Sequence, residues 1–113
     1  MDSTTIVDLT CLQEYTDNDP VAMQELIDIF YETAHEDLKI LADSIAEGKG
    51  DEWYAASHKL KGAAGYIGAL AMKALCAEAQ NMTGSTPAMR ANLYRKIKTS
   101  YDDACHFLKE RKQ

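Results

Sequence analysis

The 113-residue sequence predicts an all-α fold, an antiparallel four-helix bundle with a short additional helix at its N-terminal end. Three observations carry that expectation. Apolar residues recur at three- and four-residue spacing through long segments, the pattern of one helix face. No alternating apolar and polar run of useful length offers a strand. Two prolines and six glycines leave long uninterrupted stretches, joined by connections short enough for neighbouring helices to run antiparallel.

The elements follow in order. A short first helix over residues 8 to 16 carries Leu9 and Leu12 and ends in the turn-forming run Asp17-Asn18-Asp19-Pro20. Asp19 is placed to cap the second helix, with Pro20 at its first position, where the missing N–H costs nothing. This helix is expected to reach about Glu47, because Met23, Leu26, Ile27, Phe30, Ala34, Leu38, Leu41 and Ile45 share one face. Gly48-Lys49-Gly50 stops it. Asp51 can cap a third helix running to about Gly68, and a fourth spans Leu70 to Thr83 with Ala71, Met72, Leu75, Ala79 and Met82 inward. The turn Gly84-Ser85-Thr86-Pro87 opens the last helix, whose stripe is Leu93, Ile97, Tyr101, Ala104 and Leu108.

Composition bounds the function. An apolar fraction of 46% and a charged fraction of 27% are those of a chain that folds, and residues 1–113 read as one domain without repeat or linker. No apolar run approaches a membrane span, and the opening Met1-Asp2-Ser3-Thr4-Thr5 lacks the basic start and apolar stretch of a secretory signal, so a cytoplasmic location is expected; the bundle is read as a monomer. Cys11, Cys76 and Cys105 are odd in number and widely spaced, which reads as three reduced thiols. A net charge of −6 argues against nucleic acid as partner. The densest basic stretch, Arg90, Arg95, Lys96 and Lys98, reads as a solvated face of the last helix. The partner expected is a protein.

The third helix carries unusual chemistry. On a helical wheel with Leu60 at zero, Trp53, Ala64 and Ile67 fall within about 40° and define the buried face, whereas His58 lands at about 160°. Ala55, Gly62, Gly65 and Ala69 project within about 60° of His58, leaving its face nearly bare of side chains. A glycine inside a helix costs roughly 0.5–1 kcal/mol relative to alanine, so Gly62, Gly65 and Gly68 within two turns call for a reason. Close approach of another molecule supplies one. The face then reads as a docking shelf with an imidazole standing on it. Lys61 can reach back toward the ring, and Lys59 adds a second positive charge that would attract an anion attached there. Neutral imidazole is a competent nucleophile near neutral pH, which suits a phosphoryl acceptor.

The run His58-Lys59-Leu60-Lys61-Gly62-Ala63-Ala64-Gly65-Tyr66-Ile67-Gly68-Ala69 resembles the signature of histidine-containing phosphotransfer (HPt) domains, the intermediate carriers of multistep two-component phosphorelays. The likeness takes in the short opening helix, the long second helix with Phe30 and the Gly50-Asp51 turn. It implies that His58 is phosphorylated, Lys61 neutralises the phosphoryl group, Gly62 leaves room for it and Gln80, on the neighbouring helix, bonds and orients the imidazole. It implies as partners the receiver domains of a hybrid sensor histidine kinase and of a response regulator, which supply the aspartate and a magnesium ion. The chain itself would need no cofactor.

Other candidates are weaker. Glu32-Thr33-Ala34-His35 has the Glu-x-x-His spacing of carboxylate-bridged metal sites, but it occurs once and projects onto the polar face beside Asp28 and Lys39. His106 falls opposite Ile97, and Cys105 beside it points about 100° away, a poor co-ligand. No phosphate-binding loop, dinucleotide fingerprint, nucleophile elbow or HExxH run is present, so a carrier is expected and not an enzyme with its own nucleotide site. Two alternatives stay open: a phosphoacceptor fed directly by a kinase ATP-binding domain, and an adaptor that acts by binding alone.

Overall fold

The computed structural model describes residues 6–46, 48–82 and 84–110, and these form five helices and no strand. They are α1 (Leu9–Thr16), α2 (Pro20–Asp43), α3 (Gly50–Ile67), α4 (Leu70–Gln80) and α5 (Pro87–Glu110). The class is all-α, as the periodicity predicts. Around the molecule α2 packs on α3, α3 on α4, α4 on α5 and α5 back on α2, while α1 lies against α2 and α3.

Local chemistry explains the ends. The Asp8 carboxylate caps α1 by accepting from the Thr10 N–H at 3.0 Å, and Asp19 does the same for α2 through Val21 at 3.0 Å. Thr86 accepts from the Met89 N–H at 3.2 Å at the start of α5, next to Pro87. Asp51 does not cap α3. Lys49 occupies the cap position without a side-chain bond, and Asp51 and Glu52 lie in the first turn, where their charge complements the helix dipole. Gly68 ends α3 in the left-handed region at φ 84°, and its carbonyl accepts from the Asp8 N–H at 2.7 Å.

The core is built from the expected stripes. Met23, Ile27, Phe30, Ala34, Leu38 and Leu41 of α2 meet Trp53, Leu60, Ala64 and Ile67 of α3 and Leu93, Ile97, Tyr101, Ala104 and Leu108 of α5, all buried. Phe30 packs on Tyr101 with ring centroids 5.6 Å apart. Two assignments change. Ala71 is exposed, and Cys76 fills the buried position of α4 instead, its thiol pushed up to about 12 by burial. Arg90 belongs to no solvated face. It is buried, and its guanidinium donates to the carbonyls of Ile45, Ala46 and Ser85 and to the Ser85 hydroxyl at 3.0–3.2 Å.

That guanidinium also accounts for the end of α2. The helix stops at Asp43, capped by Ser44, and the following carbonyls turn toward Arg90. α4 likewise ends early, at Gln80. Glu47 and Thr83, the expected last residues of these two helices, lie outside the described residues, as do Met1 to Thr5. Among the described residues no helix is long and apolar enough to cross a membrane. The three cysteines are free.

Candidate functional site

α3 turns its small-residue face outward because Trp53, Leu60, Ala64 and Ile67 commit the opposite face to the core. His58 is exposed midway along it. Two groups lie beside the imidazole. From α4, the Gln80 carboxamide Nε2 lies 3.2 Å from His58 Nδ1. From one turn earlier on α3, the Tyr54 ring lies nearly parallel to the imidazole, with centroids 6.2 Å apart and planes 8° apart.

Gln80 is itself held in place. The buried Trp53 indole donates from Nε1 to the carbonyl of Ala79, the residue before Gln80, at 2.9 Å. This bond ties the start of α3 to the end of α4. Gln80 Oε1 is buried and has no hydrogen-bond partner among the described residues. A carboxamide exchanges its oxygen and nitrogen by a half turn, and which of them faces Nδ1 follows the tautomer of the imidazole. In the tautomer with the proton on Nδ1, the turned amide accepts it through Oε1 and the lone pair of the imidazole resides on Nε2; in the other tautomer the amide donates from Nε2 to Nδ1.

The remaining predicted residues divide into those at the ring and those away from it. Gly62, one turn beyond His58, is exposed, and a Cβ there would meet no atom within 4 Å. Ala55 and Lys59 are exposed and Lys61 is half-buried, all on α3 within a turn of His58. Gly65 lies on the same face two turns farther along the helix, half-buried beside the Lys73 side chain, whose Cδ is 3.8 Å from where its Cβ would stand. Ala69 is a correction. The wheel carries it onto the outer face, but α3 ends at Gly68, the chain turns, and Ala69 is buried at 1% exposure at the head of α4.

Beside the shelf an open groove of about 690 Å³ follows the seam between α2 and α3, lined by Ile29, Asp37 and Ile40 on one side and by Lys59, Gly62 and Tyr66 on the other. Burial raises the pKa of the Asp37 carboxyl, with Glu36 adding to the effect and the Lys59 ammonium opposing it. His35 and His106 are exposed, and among the described residues no group of three or more His, Cys, Asp and Glu side chains could hold a metal ion. The Cys105 thiol beside His106 is raised, chiefly by burial, which disfavours the reactive thiolate. Sequence reasoning missed Tyr54 and the Trp53 bond. The four-residue spacing from Tyr54 to His58 was the available sign of the first; the second joins residues 26 apart and left none.

Fold and site together define a helical scaffold that displays one oriented histidine. The chain belongs to the Hpt domain family, whose family model matches residues 25–107, more than half of its length. The match takes in His58, Lys61, Gly62 and Gln80 and leaves α1 outside. Hpt domains carry phosphoryl groups in phosphorelays and interact with receiver domains of two-component systems. Comparison with curated proteins and with solved structures gives no match.

Proposed function

We propose that this chain is a cytoplasmic, monomeric phosphate carrier that relays a phosphoryl group from the receiver domain of a hybrid sensor kinase to that of a response regulator through a phosphohistidine at His58. In this reading the closed ring of contacts among α2, α3, α4 and α5 is an antiparallel four-helix bundle, and the whole chain acts as one domain. The observation that carries the proposal is the exposed His58 imidazole, engaged at Nδ1 by Gln80 and facing the clearing at Gly62.

The step balances without a further reactant. The Nε2 lone pair attacks the phosphorus of the receiver's aspartyl phosphate, the N–P bond forms as the P–O bond to the aspartyl carboxyl breaks, and the aspartate leaves as a carboxylate. The proton on Nδ1 stays, accepted by Gln80 Oε1 in the rotated amide. The Lys61 and Lys59 ammonium groups offset the charge brought to the ring. The reverse step, with a second receiver, unloads the carrier. Receiver and carrier meet over Ala55, Gly62 and the seam groove, and Gly62 leaves open space one turn beyond His58. Because the partners bring the activated phosphate, the chain needs no nucleotide site and acts as a carrier, not an enzyme.

Intact-mass analysis after mixing with a phosphorylated receiver domain tests this, with His58→Gln as control. The parent protein is expected to gain one acid-labile, alkali-stable phosphoryl group and the variant none. No gain from any of several receivers would shift the reading to the kinase-fed acceptor or the binding-only adaptor.

A further inference from the structure

Resting on that reading of His58, we propose that Tyr54 is a positioning residue for the phosphoacceptor: its ring face fixes the plane of the imidazole, while Gln80 fixes its direction.

An exposed histidine on a helix turns freely about its side-chain bonds on a fast timescale, and a nucleophile that must meet a phosphorus in line is slowed by that freedom. The single contact from Gln80 to Nδ1 anchors one atom of the ring and leaves the ring able to roll about it. Tyr54 removes the roll. Its ring is parallel to the imidazole within 8°, and a centroid separation of 6.2 Å falls within the range of offset aromatic stacks. One restraint lies in the plane of the imidazole and the other across its face.

Helix geometry explains why the two rings meet on that side. Side chains lean toward the helix N-terminus, so His58 inclines over Tyr54, four residues earlier, and away from Gly62, four residues later. The stripe Tyr54, His58, Gly62 therefore pairs a wall on one side of the imidazole with a clearing on the other. Tyr54 is 50% exposed, which removes it from the core and leaves its large ring without a packing purpose of that kind. Both restraints rise from one corner of the fold: Trp53, Tyr54, Ala79 and Gln80 line a single cavity of about 190 Å³, and the Trp53 indole donates to the Ala79 carbonyl.

The test uses Tyr54→Ala and Tyr54→Phe in the full chain. Nitrogen-15 NMR of the His58 ring in unphosphorylated protein needs no partner, and the rate of phosphorylation by potassium phosphoramidate, followed by phosphorus-31 NMR, reads the consequence. Tyr54→Ala is expected to move the ring-nitrogen shifts toward those of a free histidine and to slow phosphorylation roughly two- to tenfold, with Tyr54→Phe restoring both. Wild-type shifts and rate in Tyr54→Ala would overturn the proposal, and so would a Tyr54→Phe that behaves like Tyr54→Ala, because the hydroxyl and not the ring face would then be responsible. If wild-type His58 accepts no phosphate, the carrier reading fails, while the ring-nitrogen shifts still decide the role of Tyr54.

Discussion

Gly62 and Gly68 stand six residues apart in and at the end of the same helix, and they are glycine for opposite reasons. At Gly68 the backbone has φ 84°, and a Cβ would collide with the Asp8 carbonyl, so both conformation and space demand the smallest residue. At Gly62 the backbone is helical and a Cβ would touch nothing within 4 Å. The folded chain gains nothing from glycine there. On the proposed function, a residue that the fold does not require, present at a cost in helix propensity beside an exposed histidine, answers to what approaches from outside.

The sharpest break in that comparison is Gly68→Ala, expected to cost about 2–3 kcal/mol of stability by denaturant titration, because a left-handed alanine and a backbone collision add. Gly62→Leu tests the other half. Its stability should equal or exceed the parent's, by up to about 0.8 kcal/mol, because leucine replaces a mid-helix glycine in open space, while phosphotransfer from a receiver falls roughly 100-fold through lost alignment. Unimpaired transfer would remove the steric role of the clearing. The smallest effect sharpens the contrast most. Gly62→Ala should raise stability by about 0.5–1 kcal/mol in the same titration that shows Gly68→Ala losing it.

Much of this was legible in the sequence, and the failures have physical causes. Periodicity reports which face of a helix is buried, so the buried stripe of α3 and the exposure of His58 follow from spacing alone. Ala69 was misplaced because the wheel continued past Gly68, where the helix had already ended. Periodicity is silent on what reaches a face from elsewhere: Lys73 beside Gly65, and Gln80 at the imidazole, which only the family resemblance suggested. Arg90 was the largest error. An arginine in a basic stretch is ordinarily solvated, and its burial rests on carbonyls about 45 residues away in the chain. The same contacts take Ile45 out of the helix to which its spacing assigned it.

Arg90 has one more consequence. Its acceptors are three backbone carbonyls and a hydroxyl, groups that do not titrate, and its guanidinium lies 6.0 Å from the centre of the Trp53 ring. An ion pair with a carboxylate would dissolve as acid protonates the acid partner; this latch has no such partner to lose among those acceptors. The bonds it makes to Ile45 and Ala46 after α2 and to Ser85 before α5 therefore do not depend on the charge of an acceptor. Trp53, whose indole bonds the end of α4, thus rests beside a cation whose anchors carry no titrating charge.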